Sequence, residues 1–354
     1  MSAAESRARP TMSDVAALAR VSLTTVSRVI NGVSTVDGDL ASRVHRAVEA
    51  LDYRHNLTAS SLRRAGGRTR TVGLLLEDVA NPFSSALHRG VEDVARRRDV
   101  AVLAGSVNED ATRERDLALG LVARRVDGLI IVPCGDDHSY LFTERRAGVA
   151  IVFVDRQPQQ LLADVVVSDN AQGTRNAIRH LLSGGHRRIA FLGDVLSIQT
   201  ARDRLAGYLE ALREAGVPRE GSQIVHGLRG IDAAEAATQQ LLLGTQAPTA
   251  LFTAQNMITV GAIRALRDLG MQHRVALVGF DNFLLADLLE PAVTVVAQDP
   301  GALGALAAEI LFARMDGDDS PVRTHVVPTS LIVRGSGEIP PPAVDDAEVE
   351  RASA

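Results

Sequence analysis

The chain has 354 residues, 46% of them hydrophobic, and a formal net charge of −5 at pH 7; that length exceeds one small domain and points to two or three compact units. Its one cysteine, Cys134, excludes an intrachain disulfide and fits a reducing compartment; inside the apolar run "LIIVPC" it reads as a buried apolar residue rather than a nucleophile. No apolar run approaches the ~18 residues of a membrane helix, and the opening "MSAAESRARP" lacks the apolar stretch of a secretory signal, so a cytoplasmic protein with no membrane partner is expected.

Charge is unevenly spread. All 38 basic residues are Arg. Residues 7–70 hold 11 Arg against 5 acidic residues, a net of +6, whereas residues 71–354 hold 27 Arg against 37 acidic residues, a net of −10. A basic head on an acidic body predicts that only the head meets a polyanion.

In chain order, residues 1–10 read as a disordered leader and residues 11–55 as three short helices. Thr11 and Asp14 form a capping box at the first, whose apolar face is Val15 and Leu18. Ser22 caps the second, with Val26, Val29 and Ile30 inward. Asp37 caps the third, with Val44, Ala47, Val48 and Leu51 inward. On the second helix, Leu23, Thr24, Ser27, Arg28 and Asn31 fall on the opposite, outward face. For that helix alone, a solvated face and a DNA-reading face fit equally well. The capped helix before it, the short turn and the basic context favour DNA. Arg28 can grip a guanine bidentately or clamp a phosphate, and Leu23 can touch a thymine methyl.

Residues 56–70, "NLTASSLRRAGGRTR", hold two turns of helix-tolerant residues before Gly66 and Gly67. A helix that short is marginal in water, so the segment reads as a linker able to fold on binding. From residue 71, ten apolar, β-branched runs alternate with helical stretches: "TVGLLLED", "VAVLAGSV", "DGLIIVP", "VAIVFVD", "DVVVSD", "RRIAFLGD", "QIVHG", "TALFTA", "RVALVGFD" and "TVVAQD". Runs that are apolar throughout suit parallel strands buried on both faces, and the alternation makes βαβ units. The expected fold is thus an all-α helix-turn-helix head plus an α/β core of two doubly wound parallel-sheet subdomains. The Pro-rich, then acidic end reads as disordered.

Several stretches together resemble the lactose-repressor (LacI) family of bacterial transcription regulators. They are "TMSDVAALARVSLTTVSRVING", "RVHRAVEALDYRHN", "EDVANPFSSAL", "VDGLIIVP", "VFVDR", "SDN", "GHRRIAFLGD", "RLAGYLEAL", "VGFD" and "TSLIVRGS", in the family's order over residues 11 to about 336. The resemblance implies a core similar to periplasmic sugar-binding proteins of type I, its two subdomains joined by crossover strands. The first would take about 71–167 plus 300–324, the second about 168–299 plus 325–336, with a disordered tail over 337–354. It implies a recognition helix in the major groove and a hinge helix in the minor groove. Leu23, Thr24 and Arg28 match the base readers. Thr25, Ser27 and Asn31 match phosphate or support positions. Asn56 and Ala59 match hinge positions, and Leu62 the leucine that wedges between base pairs at the operator centre, kinking the duplex. Three positions depart from the pattern. Arg20 stands where the family usually has Gly, which strains the turn or adds a phosphate contact. His55 stands where Pro is favoured, and "DLAS" (39–42) lacks the usual Thr-Arg pair.

In open α/β sheets ligands bind at the carboxyl ends of the strands, where this chain places Asp78, Phe83, Asp155, Arg156, Asp169, Asp194, Gln255, Asn256 and Asp281. Carboxylates, amides and an Arg suit a polyhydroxylated ligand, and Phe83 offers a flat apolar face. Phe83, Arg204, Gln255, Asn256 and Asp281 match family effector positions. Asp155 either contacts ligand or caps a helix; Asp78 and Asp194 read as structural. "TAQN" replaces a commoner Asn-Asp pair, and Arg229 falls where many members have an aromatic; both departures favour an anionic sugar derivative.

These readings converge on a nucleoid-associated homodimer. It is expected to bind a pseudo-palindromic double-stranded DNA operator under control of a carbohydrate or carbohydrate-derived effector, as a repressor. A corepressor-dependent repressor or activator of the same family is the alternative, and a sugar-binding protein without DNA function a remote one. No Walker loop, GxGxxG, nucleophile elbow or metal-spaced His pair is present, so no catalytic residue, metal or cofactor is expected and the chain is not read as an enzyme.

Overall fold

The computed structural model describes residues 10–30, 33, 35–54, 68–218 and 223–342. They fall into two compact units that divide between Thr69 and Arg70. The first holds α1 (Met12–Ala19), α2 (Leu23–Ile30) and α3 (Gly38–Ala50). Each start is set by a side chain that satisfies free backbone amides. Asp14 N donates to Thr11 Oγ1 at 3.3 Å while Thr11 N donates to Asp14 Oδ2 at 2.7 Å. Thr25 N donates to Ser22 Oγ at 3.1 Å, and Asp39 N to Asp37 Oδ1 at 3.0 Å.

Val15, Ala16, Ala19, Val26, Val29, Val44 and Ala47 form the small core of this unit. Leu18, expected inward, is 53% exposed. The stripe that packs on α2 and α3 runs through Val15, Ala16 and Ala19, which leaves Leu18 on its flank.

The second unit contains two six-stranded sheets of matching topology. The first has the order β11 (Thr324–Val327), β5 (Asp164–Ser168), β4 (Ala150–Val154), β3 (Gly128–Ile131), β1 (Thr71–Leu76), β2 (Ala101–Ser106). The second runs β12 (Ser330–Ile332), β10 (Thr294–Ala297), β9 (Ala276–Phe280), β8 (Ala250–Thr253), β6 (Ile189–Leu192), β7 (Ile224–Val225). Every pairing is parallel except β10 with β12.

Each of the ten apolar runs forms a strand. β11 and β12 escape that pattern because they are short, lie at sheet edges and are only partly buried. The helices are α4 (Pro82–Arg97), α5 (Ala111–Ala123), α6 (Phe142–Arg146), α7 (Asn170–Ser183), α8 (Gln199–Glu214), α9 (Gly230–Leu242), α10 (Asn256–Asp268) and α11 (Pro300–Met315). They sandwich the sheets, and a separate apolar cluster fills each sheet face.

The chain passes from one subdomain to the other after β5, after β10 and after β11. An expected division at 324/325 would cut β11, whose residues all pair with β5 in the first sheet; the third crossing comes after Val327. α11 packs against α4 and β4, and Arg314 pins its end to Asp164 of β5 through Nε–Oδ2 at 2.8 Å and Nη2–Oδ1 at 3.1 Å. Residues 337–342, expected to belong to a disordered tail, are instead ordered against the second sheet. Thr294 N donates to Ser336 Oγ, which donates to Leu277 O. Glu338 meets His180 and Thr294, and Ile339 packs on the core of the second sheet. A 3-10 turn at Ser336–Glu338 thus packs across the amino ends of β9 and β10; the rest of the expected tail, like the 1–10 leader but for Pro10, lies outside the described residues.

Candidate functional site: a reading helix and a two-sheet cleft

In the first unit, α2 presents Leu23, Thr24 and Arg28 to solvent, Leu23 with 42% of its surface exposed. Thr25 and Ser27 sit half-buried on the same helix. Thr25 Oγ1 lies 2.8 Å from Ser22 Oγ, so it supports the cap. Arg28 Nη2 donates to Thr35 Oγ1 at 2.9 Å, which holds the guanidinium against the segment that follows α2. Asn31, His55, Asn56, Ala59 and Leu62 lie outside the described residues.

The turn into α2 departs from an ordinary L-residue path. Arg20 ends α1 at φ 52, ψ 49, in the left-handed region. Arg43 Nη2 donates to Ala19 O at 2.6 Å and Arg20 O at 2.9 Å, placing a cation on the free carbonyls of a helix C-terminus. The Gly-to-Arg departure therefore falls at the position where backbone geometry favours glycine.

In the second unit, the carboxyl ends of both sheets face a cleft of ≈ 320 Å³. The loop after β1 brings Glu77, Asp78 and Asn81. Asn81 caps α4 by accepting from Phe83 N at 3.0 Å, with Pro82 in the first turn, and this sets Phe83 at the cleft wall. The loop after β2 brings Glu109, and β4 ends in Asp155 and Arg156. From the second sheet come Asp194 after β6, Gln255 after β8, Asp281 after β9 and Gln298 after β10. α8 contributes Arg204 and the start of α9 Arg229.

Six of the seven expected effector residues line this cleft: Phe83, Asp155, Arg204, Arg229, Gln255 and Asp281. Asn256 does not. It is buried at the start of α10, where Nδ2 donates across the cleft to Asn81 Oδ1 at 3.1 Å. Gln157 N, in the first subdomain, likewise donates to Gln199 Oε1, in the second, at 2.8 Å. Asp78 and Asp194, read as structural, do line the cleft, whereas Asp169 caps α7 through Gln172 N.

The cationic groups are held in place. Arg204 is buried, its Nε donating to Asn170 Oδ1 and its Nη1 to Ala254 O, both at 2.7 Å. Its guanidinium carbon lies 3.9 Å from the centre of the Phe280 ring, a cation–π contact. Burial lowers the Arg204 pKa, against the pull of Asp281 and Asp155; its Nη2 makes no hydrogen bond to a described residue. Arg156 donates Nη1 and Nη2 to the two oxygens of Glu109 at 2.9 and 2.7 Å, and its Nε lies 3.3 Å from Asp155 Oδ2. Burial opposes its charge, but Glu109 and Asp155 more than offset it and its pKa is raised.

Burial also raises the pKa of Asp155, Glu77 and Asp194, with Glu109 repelling all three. Gln298 Nε2 donates to Asp281 Oδ1 at 2.6 Å. The lining carries six carboxylates, Glu77, Asp78, Glu109, Asp155, Asp194 and Asp281, against the three guanidiniums of Arg156, Arg204 and Arg229. Arg156 is neutralised by its neighbours and Arg229 stands exposed at the rim. The carboxylates of the lining outnumber its guanidiniums, which speaks against the anionic ligand expected from Arg229 and "TAQN"; hydroxyl donors match the site.

Glu77, Glu109, Asn81 and Gln298 were missed from sequence. Glu109 belongs to the acidic run "NEDATRERD", which looks like the start of α5, and Asp110 does cap that helix. Gln298 follows β10, which marks it as a strand-end residue but not as the partner of Asp281.

Comparison with known proteins gives a consistent result for both units. The model of bacterial regulatory proteins of the lacI family matches residues 11–56, and the periplasmic binding protein-like domain matches residues 178–337. The chain is 32% identical to the ribose operon repressor of Haemophilus influenzae over 328 residues, 92% of this chain and 98% of that protein. It resembles the structure of the lac repressor dimer bound to operator and the anti-inducer ONPF, with a TM-score of 0.83, 28% identity and coverage of 93% of this chain and 99% of that one. A complex of the transcriptional regulator CelR with cellobiose matches at a TM-score of 0.69 and 31% identity, covering 93% of this chain and 100% of that one.

Proposed function

The chain belongs to the LacI family of bacterial regulatory proteins, and from that premise we infer that it is a DNA-binding transcriptional repressor controlled by a small ligand. The observation that carries this reading is the presence in one chain of a helix-turn-helix unit with an outward polar helix face and a two-sheet cleft lined by hydroxyl-binding groups. Its relatives are regulators rather than enzymes. The lac repressor structure is a dimer on its operator. By analogy this chain acts as a homodimer whose two heads read the halves of a pseudo-palindrome. No helix among the described residues is long and apolar enough to cross a membrane, and we place the protein in the cytoplasm.

In this reading Leu23, Thr24 and Arg28 contact base edges, with Thr25 and Ser27 supporting the helix against the backbone. The ligand is a neutral polyhydroxylated molecule, a sugar by analogy with the cellobiose- and ribose-bound relatives. Asp155 and Asp281 accept from its hydroxyls, the free Nη2 of Arg204 donates to it, and Phe83 covers an apolar ring face. A ligand that bridges both sheets favours the closed cleft, in which Asn81 and Asn256 meet. The preference for that state is passed to the head through the segment that joins the units.

Selection of bound duplexes from a random pool tests the function. A two-fold symmetric site is expected, with its release by one or more neutral sugars and not by their acid or phosphate forms. Recovery of no palindromic site would overturn the repressor reading.

A further inference from the structure

A shallow hollow of ≈ 320 Å³ opens on the helix-turn-helix unit, and no described residue of α2 lines it. Leu18, Ala19, Arg20, Arg43, Arg46, Ala47 and Ala50 line it, so its rim carries three guanidiniums and no carboxylate. Of the acids on these helices, Asp14 is bound by Thr11 and Asp37 caps α3, while Glu49 lies on α3 but does not line the hollow. Arg43 is committed to the carbonyls of Ala19 and Arg20, and Arg46 only reaches back to Ser42 O at 3.4 Å. Arg20 is exposed, and its guanidinium makes no hydrogen bond or ion pair with a described residue.

Two features of Arg20 call for an external partner. It holds a left-handed backbone, φ 52 and ψ 49, that an L side chain adopts at a penalty glycine does not carry. Strain kept at one position is a reason to look for function there. Its guanidinium also stands beside two like charges, an arrangement that a bound anion relieves.

We propose that Arg20, with Arg46 beside it, grips a phosphate of the DNA backbone, giving the head a sequence-independent anchor separate from its base-reading face. This rests on the DNA-binding reading above. Arg20 ends α1, and only Val21 and Ser22 separate it from the first residue of α2. If the start of α2 enters a groove, the turn before it passes the sugar-phosphate wall of that groove, within reach of an extended arginine. Arg43 braces the turn from behind and fixes the direction in which Arg20 leaves the backbone. A guanidinium is suited to the task, since its planar donor fork matches a phosphate.

The test is binding of the full-length protein, by fluorescence anisotropy, to a duplex it has itself selected from a random pool and to a scrambled duplex. Both are titrated across roughly 50–200 mM salt. Arg20→Gly removes the guanidinium and suits the left-handed turn, so its melting temperature should equal or exceed that of the wild type. The variant is expected to bind both duplexes about tenfold more weakly. Its slope of log K against log salt should be shallower by about 0.9. Arg20→Lys should keep most of the slope. Wild-type affinity and slope in Arg20→Gly would overturn the proposal, as would weakened binding to the selected duplex alone, which would make Arg20 a base reader. If the wild-type protein selects no duplex, the functional reading itself fails, and the anchor with it.

Discussion

Asp155 and Asp281 are the same position in two copies of one topology. Each follows the fourth strand of its sheet, β4 or β9, and each is in the left-handed region, at φ 71 and φ 73. Each amide bonds to the next strand, Asp155 N to Val166 O at 2.8 Å and Asp281 N to Val296 O at 2.9 Å. Both are 7% exposed and face the cleft. Aspartate is among the few side chains that tolerate this conformation, so one residue type both holds the turn and presents a carboxylate to the cleft.

Asn also tolerates the left-handed region, so Asp281→Asn should fold normally and lose ligand contact selectively. Replacing a charged acceptor by an amide should weaken effector binding by about 1.5–3 kcal/mol, with operator affinity in the absence of ligand unchanged. Asp155→Asn should weaken binding less, because Arg156 keeps its two bonds to Glu109. Calorimetric titration of both variants checks the order; equal binding by Asp281→Asn and the wild type would remove Asp281 from the site.

Arg28 Nη2 donates to Thr35 Oγ1, and in the proposed reading the same guanidinium contacts a base edge. Arg28→Ala should cost about 1–3 kcal/mol of operator affinity and relax the preference at one position of each half-site. Thr35→Ala frees the guanidinium and should leave that preference intact. Comparing the sequences each variant selects from a random pool separates the two effects.

α4 and α11 cross closely because their contact is made of glycines. A Cβ on Gly304 would lie 2.1 Å from Leu87 O, and one on Gly90 would lie 2.2 Å from Gly301 O. Gly304→Val should force the helices apart and destabilise the core by about 1–3 kcal/mol or more, as overpacking does. Chemical denaturation followed by circular dichroism gives the value; a change within about 0.5 kcal/mol of zero would show that the crossing is soft.

His186 is fully buried, with Nδ1 2.9 Å from Thr249 Oγ1 and Nε2 2.9 Å from Ile339 O. Burial depresses its pKa below the ordinary 6.5. The unfolded chain then binds the proton more readily than the folded one. Its contribution to stability is complete above pH 6.5 and is lost as pH falls from there through the folded pKa, by up to about 1.4 kcal/mol per pH unit. His186→Gln should flatten the dependence of unfolding free energy between about pH 7.5 and about pH 5.5. An unchanged slope in that variant would assign the titration to other groups.

Much of this protein is legible in local sequence, and the reason is range. A helix cap needs a hydroxyl or carboxylate within three residues of the amide it satisfies, so Thr11, Ser22 and Asp37 could be placed without a structure. A buried parallel strand is apolar along its whole length, so ten of the strands stood out. Cleft-lining groups past strand ends follow from the same pattern, which marks Phe83, Asp155, Gln255 and Asp281; Arg204, inside α8, is marked only by the resemblance to the family.

The features that local sequence does not reveal depend on partners far away in the chain. Leu18 has the right spacing for a core residue, but the neighbours of α1 decide which flank is covered. Residues 337–342 look like the start of a polar tail until Thr294 and His180 are seen to bind them. Arg156 is neutralised by Glu109, 47 residues earlier in the chain, a pairing that no local pattern announces. Asn256 looks like a ligand residue and instead bonds Asn81, 175 residues away.

The sequence by itself determined the helix-turn-helix head, the two parallel sheets and the ends at which ligand groups gather, because periodicity and capping are short-range properties of the chain. Only the tertiary structure decided which of those groups face one another, which are already paired and which, like the guanidinium of Arg20, have no partner among the described residues, because pairing is settled by distance in space and not by distance along the chain.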